Sequence, residues 1–175
     1  YYTTIRPNGI RYRGSYDRSY FVYGDFSRDP VIRYFDKSCE TVSDAQIPGR
    51  TRIPNDAHGN PSILIDQEGY LYVFYGCHGH PVQMRRSLDP EDITGWSNEV
   101  LIGLGITYPQ PYMLDDETIV LSYRKWEDAL TSGWGYTSSR DRGTTWDDNR
   151  IIVSQDTISI YGLSEIGGES PLRSW

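Results

Sequence analysis

The chain is predicted to be all-β, a β-propeller built of four-stranded antiparallel blades. Three observations predict it. The runs SYFVYG (19–24), YVFYG (72–76) and IVLSYR (119–124) repeat one another, and their tyrosines Tyr23, Tyr75 and Tyr123 stand 52 and 48 residues apart. A period of about fifty residues made of short strands marks propeller blades. Gly, Pro, Asn and Asp fill the joints, and no window of about eleven residues shows helical periodicity.

The second repeat shows the strand order best. Residues 61–66 read as a strand, Gln67-Glu68-Gly69 as a turn, and 70–77, 82–88 and 98–102 as three further strands. The third repeat copies this with 111–114, 118–124, 134–139 and 149–153, and the first has strands near 10–13, 19–24, 31–35 and 39–42. The blades are placed at about 10–45, 58–103 and 108–154, with a further blade starting in 158–175, all in a single domain spanning 1–175. Closed propellers have ~4–8 blades, so the chain is expected to be a fragment of a longer propeller.

Residues 139–146, SRDRGTTW, resemble the Asp-box of the BNR (sialidase-type) propellers at every defined position. Ser87, Asp89 and Trp96 make a degraded second copy with a longer loop. In such a box the Ser and Asp satisfy backbone N–H groups of a tight hairpin, and the Trp packs between sheets. The motif therefore speaks for fold rather than chemistry.

The formal net charge is −7, which argues against nonspecific nucleic-acid binding. An anionic ligand would need a locally basic pocket. No apolar run approaches the ~18 residues of a membrane span. Two cysteines, Cys39 and Cys77, leave the redox compartment open. Fifteen tyrosines and five tryptophans suit both sheets and sugar stacking.

If the strands of a blade are A to D from the axis outward, A–B and C–D hairpins share one face, and B–C and D–A connections share the other. The Asp-box is a C–D hairpin, so Arg140 and Arg142 go to the first face. His58 lies in a D–A loop, His78 in the next B–C loop, and Tyr123 ends strand B one blade later, so all three go to the second. Tyr108 and Gln110 occupy the places of His58 and Asn60, aligned on Pro111 and Pro61.

Imidazoles and a phenol can act as base and acid. The second-face carboxylates, Asp56, Glu127 and Asp128, do not suggest the flanking pair that a glycosidase typically uses. There is no G-x-S-x-G elbow, P-loop or H-E-x-x-H. A His/Tyr set suits β-elimination at a uronic acid: a base takes the C5 proton, an acid protonates the departing O4, and a cation or hydrogen-bond donors neutralise the carboxylate. His78, Asn60, Tyr108 and Arg124 are the substrate-binding candidates. Cys77-x-x-His80 alone supplies two zinc ligands where structural sites have four. No metal ligand is assigned, no cofactor is needed for the chemistry, and a structural metal ion is left unassigned.

The stretches DAHGNPSILIDQEGYLYVFYGCHGHPVQMRRSLDPEDITGWS (56–97) and TYPQPYMLDDETIVLSYR (107–124) resemble the BNR-propeller polysaccharide lyases that cleave ulvan, a sulfated algal glycan of rhamnose-3-sulfate and uronic acids. The resemblance implies a seven-bladed propeller, His58 as base, Tyr123 as acid, and His78 in substrate positioning or neutralisation. It also implies an arginine, for which Arg140 in the Asp-box is the nearest candidate. The implied partner is an acidic polysaccharide rather than a nucleic acid or membrane, and the implied location is secreted or periplasmic. Two alternatives stay open: a propeller glycoside hydrolase, such as a rhamnosidase on rhamnose–glucuronate linkages, and a non-catalytic carbohydrate-binding propeller.

Overall fold

A computed structural model describes residues 7–54, 56–78, 80–125 and 133–154. Eleven strands and one short 3₁₀ turn make up its regular structure. The first sheet is a meander of β1 (Asn8–Arg13), β2 (Asp17–Gly24), β3 (Pro30–Asp36) and β4 (Thr41–Val42). The second runs in consecutive order through β5 (Ser62–Ile65), β6 (Leu71–Tyr75), β7 (His80–Arg86), β8 (Val100–Met113), β9 (Ile119–Lys125), β10 (Gly133–Ser139) and β11 (Arg150–Ser154). All pairings are antiparallel. The expected start of a further blade at 158–175, and the candidate carboxylates Glu127 and Asp128, lie outside the described residues.

The last strand of the second repeat and the first of the third form the single strand β8. Its first half pairs with β7 and its second half with β9, the ladders meeting at Ile106. Gly103, Gly105 and Tyr108, all at positive φ, bend the strand between the two ladders. The glycines let an extended backbone turn a corner without leaving the sheet.

The apolar runs face two cores. Tyr20, Val22 and Ile32 pack with Ile63, Ile65, Leu71, Val73 and Tyr75 between the first sheet and β5–β6. Leu64, Tyr72 and Phe74 join Val82, Met84, Ile106, Leu121 and Tyr123 on the other side. Strand β6 thus sends alternate side chains into opposite cores, as the period of two requires. That is why it reads as continuously apolar. Each fully buried side chain of this kind is worth roughly 1.5–3 kcal/mol.

The Asp-box forms as its residues dictate. Asp141 accepts from the Thr145 N–H at 2.8 Å and the Thr145 hydroxyl at 2.6 Å, while Ser139 accepts from Gly143 N–H at 2.9 Å. The Trp146 indole donates to the Gly143 carbonyl at 3.0 Å and meets Phe74 edge-on. In the degraded copy Trp96 donates likewise to Ile93, but the aspartate closing that turn is Asp92, bound to the Thr94 N–H and hydroxyl, rather than Asp89. The longer loop displaces the acidic position and frees Glu91 to accept from Ser15 and Tyr16 of the first sheet.

Candidate functional site

The loop before β5 folds as it does because Asp56 caps it. The Asp56 side chain accepts the His58 backbone N–H at 2.9 Å, at the head of the 3₁₀ turn Ala57–Gly59. Asn60 ends the turn in an extended conformation, as the following Pro61 demands. The turn directs the His58 ring back over the same carboxylate, with Nδ1 2.7 Å from Asp56 Oδ1. From the loop after β6, His78 Nδ1 reaches Asp56 Oδ2 at 2.5 Å. The two imidazoles stack, with centroids 4.1 Å apart and planes 20° apart. Tyr108, on β8, brings its ring centroid to 5.7 Å from that of His58. Three segments far apart in the chain therefore meet on one rim, as the strand directions predict.

Burial alone would raise the Asp56 carboxyl. The His58 backbone N–H and the ring hydrogen bonds of His58 and His78 outweigh it and hold the group down at about 2. Asp56 is thus ionised across the physiological range. In the sequence Asp56 stands out only as a second-face carboxylate. The signal for its real position was local: Asp two residues before His, at the head of a short turn.

The structure seats the other candidates differently. Tyr123 is fully buried in the core beside Ile106 and Leu121, and its hydroxyl donates to Asn149 Oδ1 at 2.7 Å. Tyr75, one repeat earlier, is also fully buried and directs its hydroxyl to Glu99 at 3.4 Å. Arg124, a substrate-binding candidate, is buried in β9, an interior strand of the second sheet. Arg140 pairs with Asp147 beside the Asp-box hairpin. Arg142 bridges Glu68 and Glu117, which lie in the β5–β6 and β8–β9 turns, so the hairpin shares their face.

Cys77 and His80 do not form a metal pair. Cys77 lies in the core, where burial pushes its thiol up to about 12, and His80 is exposed at the start of β7. Among the described residues the group able to offer three ligand atoms to a metal is Asp56, His58 and His78, all within 4.8 Å of one another. Both cysteines are free thiols. No described helix is long and apolar enough to cross a membrane.

Repeated antiparallel sheets and an intact Asp-box, with a polar rim of Asp56, His58 and His78 over the loop ends, define a propeller-type protein. Residues 20–167 match the BNR repeat-containing family, and the chain belongs to it. It is 30% identical over 164 residues to an ulvan lyase of Alteromonas sp. (strain LOR), covering 81% of this chain and 32% of that protein. It is 34% identical over 110 residues to an ulvan lyase of Pseudoalteromonas sp. (strain PLSV), covering 52% and 21%. A solved PL25 ulvan lyase bound to -[GlcA(1-4)Rha3S]- superimposes with a TM-score of 0.75 at 26% identity, covering 85% of this chain and 38% of that one. The matched stretch therefore spans 21% to 38% of the length of these lyases.

Proposed function

We propose that the protein is a polysaccharide lyase that cleaves an ulvan-like, sulfated uronate glycan by β-elimination. The observation that carries this reading is the stacked pair His58 and His78 on Asp56, at a rim shared with Tyr108, in a chain related to ulvan lyases. His58 takes the C5 proton of the uronate. The electron pair left at C5 forms the C4–C5 double bond as the C4–O4 bond breaks, and O4 leaves with a proton from Tyr123. That phenol donates to Asn149, and donation to the sugar requires it to exchange Asn149 for O4. His78 and Asn60 contact the uronate carboxylate, whose charge must be neutralised for C5 to be acidic. Tyr108 offers its half-exposed ring to a sugar face. Arg124, the remaining substrate-binding candidate, is buried in β9 and reaches the uronate only if its side chain turns out of the sheet. No metal is required for these proton transfers. A polymeric substrate of this kind places the protein outside the cytoplasm, secreted or periplasmic.

Asp56 itself supports elimination over hydrolysis. A glycosidase acid needs a carboxyl held protonated, whereas this one is pushed down. The test is to incubate the full-length protein with ulvan and follow the ultraviolet absorbance of the new conjugated double bond. A lyase produces the chromophore, a hydrolase releases reducing ends without it, and a binding protein does neither. His58→Ala is expected to lower turnover by ~10²–10⁴-fold. Wild-type turnover in that variant would remove His58 as the base.

A further inference from the structure

We propose that Asp56 is a positioning residue that fixes both imidazoles in one tautomer. The inference rests on the reading of this rim as a lyase site, and it explains what the geometry of the pair is for. An ionised carboxylate only accepts hydrogen bonds, and it has about four lone-pair positions to do so. Oδ1 takes the His58 backbone N–H and the His58 ring, and Oδ2 takes the His78 ring. Each Nδ1 must therefore carry a proton. That leaves Nε2 of both rings turned away from Asp56, and an unprotonated Nε2 on His58 is the lone pair that proton abstraction needs. The rings stack at 4.1 Å with both Nδ1 atoms on one carboxylate, which assigns one Nε2 to C5 and the other to the neighbouring carboxylate. A base is productive only in one tautomer and orientation, and a carboxylate behind the ring is a general means of enforcing both.

The bland reading is that Asp56 only caps the turn at 57–59. A serine caps such a turn well but cannot hold two rings. Asp56→Ser therefore keeps the fold, and Asp56→Asn keeps one acceptor while placing an N–H₂ against the other. The experiment uses the full-length protein, wild type and both variants, with long-range proton–nitrogen NMR of ¹⁵N-histidine and steady-state kinetics on ulvan. In the wild type, Nδ1 of both His58 and His78 is expected to be protonated, with the same spectrum after chelator treatment. In both variants at least one ring should change tautomer, with kcat down by about 10–100-fold and KM within about threefold. Rings protonated at Nε2 in the wild type, or a chelator-dependent spectrum showing a bound metal, would overturn the clamp. So would unchanged tautomers in the variants, or changed tautomers at wild-type kcat. A wild-type protein that leaves ulvan intact would defeat the lyase reading, while the NMR arm would still decide the clamp.

Discussion

At the scale of residues, the site depends on one carboxylate with two rings. Asp56 sits at about 2 in the folded protein, against 3.8 for the free group. A lowered acid stabilises the fold above its unfolded value, and that contribution is lost as pH falls through the folded one. The stability difference between wild type and Asp56→Ser should hold above about pH 4 and disappear as the pH falls toward 2, read from urea midpoints. The tyrosines make a matched pair. Tyr75 and Tyr123 are both core residues with hydroxyls reaching the segment before the next outer strand. Tyr75→Phe and Tyr123→Phe should each cost about 1 kcal/mol of stability for the lost hydrogen bond. Only Tyr123→Phe should also lower turnover, by ~10²–10⁴-fold if its phenol is the acid. Equal turnover in the two variants would return Tyr123 to a packing role. Meeting of the histidines on one rim was legible from strand direction alone. The carboxylate between them was not, because its role depends on a turn of three residues too short to show periodicity.

At the scale of elements, motif spacing carried the most information. The Asp-box located the β10–β11 hairpin to within about a residue, since Ser139, Asp141 and Trp146 each have a backbone partner inside that turn. Gly143 is required there twice over: its φ is +83°, and an added Cβ would lie 2.5 Å from the Met84 methyl. Gly143→Ala should therefore destabilise the protein by about 1–3 kcal/mol, seen as a lower thermal midpoint. Where spacing loosens, strand and turn positions shift. The insertion before Trp96 moved the turn-closing aspartate to Asp92, and the bends at Gly103 and Gly105 concealed the continuity of β8. Local chemistry cannot show that two half-strands share a backbone direction, because each half pairs with a different neighbour.

At the scale of the whole molecule, the two faces divide the labour. Arg142 ties Glu68 and Glu117 together on the face of the hairpins, with all three side chains well exposed. Exposed pairs contribute little and are screened by salt. Arg142→Asn, which tolerates the positive φ at this position, should leave both thermal midpoint and ulvan turnover near wild type. A selective loss of turnover there would show that the chemistry lies on the other rim.

The aromatic strand Leu71–Tyr75 has a larger consequence. Because its odd and even residues are anchored in different interiors, it acts as a party wall, and neither compartment can loosen while the other stays shut. Damage at Phe74 would unseat Trp146 on one side and, through the shared backbone, slacken the grip of Val73 on Tyr20 and Ile32 on the other. Neighbouring units joined in this way melt as one cooperative body rather than peeling off singly.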